Sequence, residues 1–545
     1  MTLQYRSTAM GQSAMVTTPH YLASQAALSI LKQGGNAVEA MIAAASTIGV
    51  VYPHMNGIGG DNFWLIYNAK KGELKAINSS GRSSENASIE FYQKKGFDKI
   101  PSRGPLAANT VPGAIAGWQK AYDYSKEEIG GQLQFNLLLS EAIHYAKDGF
   151  PVTPSQSSWT KVNLDPGDQE FRALGRFDEF CRIFLNNGNA YEPGQIMKQS
   201  DLADTLENIA QFGADYFYKS DFTANLVKNL KEQGGILTEA DFHAHCADFV
   251  DPLSVDYRRY QVYNLPPNTQ GLASLSILNI LENIDLSNVE EGSGEYYHYL
   301  VEAIKCAFRD RDDYITDPDF TNIPIDELLS KKRGKLYADQ IKSSEKPQAL
   351  VKLDPKGDTV WMGIVDDEGN AVSFIQSIYH EFGSGIIPKG TGVLLQNRGS
   401  FFSLDNNHLN ALKPRKRPFH TLNPAMLLHN GKPKLIYGTM GGEGQPQTQA
   451  MLVTRIIDYG MNVQQAIEAP RFLYGRTWGA ASNTLKLESR ITGNAINDLL
   501  SKGHEIEILE PFTEVMGHAG AIWIAENEVK YGGADPRGDG IAIGY

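Results

Sequence analysis

Residues 357–379 constrain the fold more than any other stretch of this chain. Val360–Val365 and Ala371–Tyr379 are β-prone runs on either side of the polar cluster Asp366-Asp367-Glu368-Gly369-Asn370. That pattern predicts a hairpin, with Gly369 and Asn370 as the turn residues that tolerate positive φ. Thr359 then stands at the head of a strand. Thr is ordinary there, and most such hydroxyls only bond a neighbour.

At 545 residues, length allows several domains or one large two-layer enzyme, and 42% hydrophobic residues suffice for a substantial core. A net charge of -13 argues against a nucleic-acid surface. Cys181, Cys246 and Cys306 are too few and too dispersed for a disulfide framework or a Cys-rich metal site, and each reads as a small buried apolar side chain. Residues 1–11 carry no apolar core of signal-peptide length, and the apolar run near 40–52 is too short to span a bilayer. A cytoplasmic protein without membrane contact is expected.

Along the chain, His20–Lys32 has helical spacing and ends at Gly34-Gly35. Asn36 should cap a second, buried helix reaching Ile48. The segment Tyr52–Trp64 is a Gly-rich turn feeding a strand, but no Lys-Ser/Thr or helix follows, which argues against a phosphate loop. Leu74–Ile77 is a short strand, and Asn109–Trp118 a turn entering a helix. Residues 135–338 are mostly helical, with helices over 200–217, 223–233 and 296–307, a capping box at Thr238–Asp241 and a strand at 260–265. Residues 343–357 read as an exposed loop where chain breakage would be tolerated. Strands are expected at 392–396 and 434–437, a helix over 446–459, and a solvated cationic loop at 412–418.

Asp358-Thr359, the hairpin, Phe382-Gly383-Ser384-Gly385, Arg417-Pro418, Gly441-Gly442 and Asp535-Pro536-Arg537 together resemble the γ-glutamyltranspeptidase family of N-terminal-nucleophile hydrolases. The resemblance runs from Val16 to Tyr545. It implies an α+β fold, a four-layer αββα sandwich. It also implies self-cleavage between Asp358 and Thr359 into fragments 1–358 and 359–545 that together form one body. The chemistry explains the cut. A Thr hydroxyl needs a nearby base, and a freed α-amine, with a pKa of about 7.7–8.0, can serve on the same residue.

By the same resemblance, Thr359 is the nucleophile, Ser377 bonds it, and the Gly441 and Gly442 N–H groups form the oxyanion hole. A helix N-terminus beside those glycines suits that role. The specificity positions differ from the γ-glutamyl pattern. Tyr379 replaces a pocket Asn, and Leu394-Leu395-Gln396-Asn397-Arg398-Gly399 lacks the acidic partner for a substrate ammonium. His420-Thr421 replaces a Ser pair, and the segment before Arg417 is short for a lid. Ser80 stands where an Arg would grip the α-carboxylate; Arg82, read as lying in a strand on the same face, could replace it. A pocket lined by Arg398, Tyr379, Phe401, His420 and Thr421 favours a small anion.

The expectation is an amidohydrolase acting on a small carboxylate-bearing amide through an acyl-enzyme resolved by water or an amine acceptor. Oxamate fits, since Tyr52–Gly57 and Gly104–Thr110 are similar to the oxamate branch. The alternatives are a γ-glutamyl hydrolase or transpeptidase, a cephalosporin acylase-like enzyme, and an unprocessed inactive homologue. No metal site and no cofactor are expected. The expected partners are the amide substrate and the two fragments themselves, with a homo-oligomer left open.

Overall fold

Alternation along the hairpin sorts its side chains into two different cores. On Asp358–Val365, the residues Val360, Met362 and Ile364 pack with the helices, whereas Trp361 and Val365 point the other way, into a core between two sheets. Asp61–Asn68 divides likewise: Trp64 and Ile66 face helices, and Phe63, Leu65 and Tyr67 face the second sheet. A strand apolar on both sides must be central. The structure, a computed structural model, describes residues 5–165, 173–343, 358–475 and 484–545.

The first sheet runs in the order Ile541–Gly544, Met15–Thr18, Asp358–Val365, Ala371–Tyr379, Asp61–Asn68, Glu73–Ser79 and Asp248–Val250. The second runs Ala9–Gly11, Lys530–Ala534, Ala519–Ile524, Lys432–Thr439, Ala425–His429, Tyr260–Asn264 and Leu253–Tyr257. All pairings within both are antiparallel. Tyr21–Lys32 and Ala37–Val51 help cover the outer face of the first sheet; Gly271–Leu281, Gly294–Tyr314 and Gly444–Ile457 cover the second. The result is the α+β, four-layer αββα sandwich. Strands from both sides of Thr359 interleave in both sheets, so a break before Thr359 would not separate two independent bodies.

Local signals explain the helices. Gly34, at φ 86, ends the first, and Asn36 caps the second in a reciprocal box with Glu39. All residues of Ala37–Val51 are buried, which accounts for its apolar circumference. Trp361 is clamped between the sheets: a Cβ on Gly438 would lie 2.3 Å from its ring, and one on Gly520 would lie 2.6 Å from it.

Several expectations change. Residues 392–396 form no strand, because their backbone bonds go to separate loops: Leu395 N–H to the Ile386 carbonyl and Gln396 N–H to Gly59. The helix expected over 200–217 breaks at Gly213, φ 72, into Ser200–Phe212 and Ala214–Lys219. In the hairpin turn Gly369 has φ 86, while Asn370 acts through its bonds to the Asp366 carboxylate. Only Cys306 is buried; Cys181 is half-buried and Cys246 exposed. The run 412–418 is not simply solvated. Lys416 and Arg417 are buried, Lys416 capping the Leu409 carbonyl and Arg417 reaching Asp248. Burial, with Lys413 nearby, lowers the Lys416 pKa to about 8. Apart from Ser343, the loop expected at 343–357 lies outside the described residues. Among the described residues no helix is long and apolar enough to cross a membrane.

Candidate active site

Three adjacent strands of the first sheet line up one side chain each. The hairpin register steps from Asp358 opposite Tyr379 to Val360 opposite Gln376, so Thr359 alone faces the two residues Ser377 and Ile378. This is a β-bulge on the second hairpin strand. Ser377 in turn pairs with Asp61, at the start of the next strand. By alternation Thr359 shares the face of Trp361, Ser377 that of Ile375, and Asp61 that of Phe63, all in the core between the sheets. Thr359, Ser377 and Asp61 therefore form a buried row directed at the second sheet.

The bulge ends at Tyr379, which has φ 83, and its N–H donates to Ser377 Oγ at 2.7 Å. A side chain other than Gly, Asn or Asp at positive φ is uncommon and costs energy. Here it turns the Tyr379 ring onto Phe401, with centroids 4.6 Å apart. Arg398 lies against the Tyr379 ring, its guanidinium carbon 4.3 Å from the centroid. Nη2 donates to Ser377 Oγ at 3.1 Å and Nη1 to Thr421 Oγ1 at 3.2 Å. Arg398 is fully buried, Nε has no hydrogen-bond partner among the described residues, and no carboxylate there forms an ion pair with it. Burial lowers its pKa to about 10, opposed by Tyr379 and Asp61.

Asp61 anchors the opposite end of the row. Oδ1 accepts from the Gly81 N–H at 3.0 Å, the Gly113 N–H at 3.1 Å and Gln396 Nε2 at 2.9 Å. His420 Nε2 lies 3.2 Å from Oδ2, and since the Leu422 N–H approaches His420 Nδ1, the network assigns the proton to Nε2. Burial pushes Asp61 up to about 6, against the bonds from Gln396 and the backbone and the charge of Arg398. Burial, then Arg398, holds His420 well below its ordinary value and therefore neutral. Asp61 carried no role in the sequence reading. Its signal was an acid opening a strand that is apolar on both faces.

The second sheet supplies the glycine turn. Lys432–Thr439 passes over Trp361 at Gly438 and continues into Gly441, φ 119, and Gly442, φ 51, before the helix Gly444–Ile457. Among the described residues neither the Gly441 nor the Gly442 N–H donates a hydrogen bond. The turn is held from behind: Gln270 Nε2 donates to the carbonyls of Gly442, at 2.8 Å, and Thr421, at 2.7 Å. Arg311 bonds both Gln270 and the buried Glu443 carboxylate. Two free N–H groups beside a helix N-terminus can stabilise a developing oxyanion.

Arg82 stands apart from this group. Its strand ends at Ser79, because the Gly81 backbone packs against the Val111 carbonyl, and the same-face argument from Ser80 therefore fails. Its guanidinium, a third exposed, pairs with Asp317 and Asp319, so a substrate carboxylate there would compete with two acids. Asp358 belongs to the strand with Thr359, opposite Tyr379.

The chain is similar in sequence and fold to known proteins. The sequence matches the Gamma-glutamyltranspeptidase family over residues 23–545. It is 47% identical over 536 residues to the glutathione hydrolase-like YwrD proenzyme of Bacillus subtilis, covering 98% of this chain and 99% of that protein. It is 46% identical over 531 residues to the oxamate amidohydrolase proenzyme of Klebsiella pneumoniae, covering 97% and 98%. The crystal structure of cephalosporin acylase from Bacillus halodurans has a TM-score of 0.90 and 35% identity, covering 100% of this chain and 98% of that one. The chain belongs to the gamma-glutamyltranspeptidase family of N-terminal-nucleophile hydrolases, enzymes that act on amide bonds.

Proposed function

We propose that this protein is a proenzyme that cuts itself between Asp358 and Thr359 and then hydrolyses the amide of a small substrate bearing a carboxylate, oxamate being the type. Thr359 Oγ attacks the amide carbonyl and its freed α-amine accepts the hydroxyl proton. The Gly441 and Gly442 N–H groups take up the negative charge on the carbonyl oxygen. The amine leaves with a proton, and water resolves the acyl-enzyme to release the acid and regenerate Thr359. Ser377, opposite Thr359, orients the nucleophile.

The observation that carries the substrate class is Arg398: a buried guanidinium with an unused Nε, stacked on Tyr379 and bonded to the hydroxyl facing Thr359. A cation kept out of water without a carboxylate partner is costly unless an anion arrives. Neutral His420 and Thr421 complete a wall that offers no acid to a substrate ammonium. The 46% identity to the oxamate amidohydrolase proenzyme agrees with this reading. Asp61 is buried in bonds to Gly81, Gly113, Gln396 and His420, which leaves it a structural acid rather than an ammonium receptor.

Mass spectrometry of the purified protein tests the cut, with a fragment beginning at Thr359 as the expected result. Ammonia release from oxamate, compared with cleavage of a γ-glutamyl anilide and of a cephalosporin side-chain amide, tests the substrate class. Full-speed amide hydrolysis by an uncut chain sinks the mechanism. Preference for the γ-glutamyl anilide, unaffected by loss of Arg398, sinks the substrate assignment.

A further inference from the structure

A second cluster of titratable side chains lies in the helical layer over the other sheet. His298 and Glu302 are one turn apart on Gly294–Tyr314 and project from the same face. His504 follows the helix Gly493–Ser501, where Gly503, φ 88, turns the chain and the His504 N–H returns to the Leu499 carbonyl at 3.1 Å. His298 Nδ1 and His504 Nε2 are 2.9 Å apart, and one ligand atom from each of the three residues lies within 4.8 Å of the others. All three side chains are buried. Among the described residues no other group of three His, Cys, Asp or Glu side chains gathers this closely.

The spacing of the two histidines is near that of a tetrahedral ion's ligands, and the Glu302 carboxylate lies within 4.8 Å of both. Two nitrogen ligands at about 2.0–2.1 Å from zinc lie about 3.3 Å apart, so the observed pair needs only a small opening. Lys305 Nζ, 2.8 Å from Glu302 Oε1, now supplies the positive charge beside the carboxylate; Lys502 also lies near the pair. A dication entering between the imidazoles would take over the charge that Lys305 supplies.

We propose that His298, Glu302 and His504 bind one divalent transition-metal ion of the zinc type, with a fourth position for water. Imidazole and carboxylate ligands suit such an ion. The site lies in the helical layer, outside the core between the sheets that holds the Thr359 row, and joins a helix preceding Thr359 to a turn following it, so the bound ion ties together chain segments on either side of the proposed cut.

The test uses full-length protein without a histidine tag, stripped with a chelator and titrated with zinc chloride by calorimetry. The expected result is one saturable ion per chain, a zinc-dependent rise in Tm, and visible absorption bands of an imidazole-ligated ion on cobalt(II) loading of the wild type. His504→Ala and the volume-conserving His298→Gln should each weaken zinc binding at least tenfold and abolish the rise in Tm, with the amide-hydrolysis rate unchanged. No one-to-one binding by the wild type, or equal binding by a folded variant, overturns the proposal. The cobalt spectrum needs no variant, so a variant that fails to fold leaves the proposal open to refutation.

Discussion

Arg398 donates through Nη2 to Ser377 Oγ at 3.1 Å, which sets a buried cation beside the hydroxyl that faces Thr359 across the hairpin. In the proposed mechanism the row that holds the nucleophile and the group that would bind the substrate anion thus share one atom, Ser377 Oγ.

Arg398→Met should separate stability from activity. Replacing a buried charge that lacks a carboxylate partner with an apolar side chain is often neutral or stabilising, so Tm should hold or rise. Loss of charge-assisted hydrogen bonds to a substrate carboxylate, about 1.5–3 kcal/mol, should raise KM for oxamate roughly 10–150-fold. Thermal melts and steady-state kinetics on the same preparation check both halves.

Gly441→Ala and Gly442→Ala should lower kcat by roughly 10²–10³ if their N–H groups hold the oxyanion. Both glycines occupy positive φ, where an L side chain costs about 1–2 kcal/mol, and relaxing that strain turns the N–H away. KM should change far less than kcat. A proportionate rise in KM with kcat intact would count against the assignment.

Asp61 imposes a pH dependence of defined sign. Its folded-state pKa is raised from 3.8 to about 6, so between those values the folded protein binds more protons than the unfolded chain and stability falls as pH rises. The effect is on the order of 3 kcal/mol, complete above about pH 7. Asp61→Asn removes it. Denaturant titrations from pH 4 to 7 should show the variant gaining on the wild type through that window and running parallel above it.

Gly438→Ala should destabilise by about 1–3 kcal/mol or more, because the added Cβ would lie 2.3 Å from the Trp361 ring. The double variant Gly438→Ala with Trp361→Leu should recover part of that loss, since the smaller side chain frees the space. Additive losses in a double-mutant cycle would show that Trp361 does not set the spacing between the sheets.

Much of the framework was legible in the residues. The hairpin, the buried second helix with its Asn36 cap and the helix after Gly441-Gly442 follow from alternation, helical spacing and capping, which act over a few residues. The family motifs are the source of the roles proposed for Thr359, Ser377 and the glycine pair. Local pattern failed where backbone bonds go to distant partners. Residues 392–396 looked like a strand but bond separate loops, Arg82 was assigned to a strand that ends at Ser79, and Lys416 and Arg417 looked solvated but are buried, bonded to the Leu409 carbonyl and the Asp248 carboxylate.

By itself the sequence determined many of the strands and helices, the hairpin that begins at Thr359 among them, because those preferences arise from neighbouring residues. Only the tertiary structure decided that Asp61 completes a row with Ser377 and Thr359, that Arg398 is buried without an ion pair among the described residues, and that Arg82 is already paired. Register between strands hundreds of residues apart, and the withdrawal of charge from water, arise when sheets pair and layers pack, and no short stretch of chain encodes either.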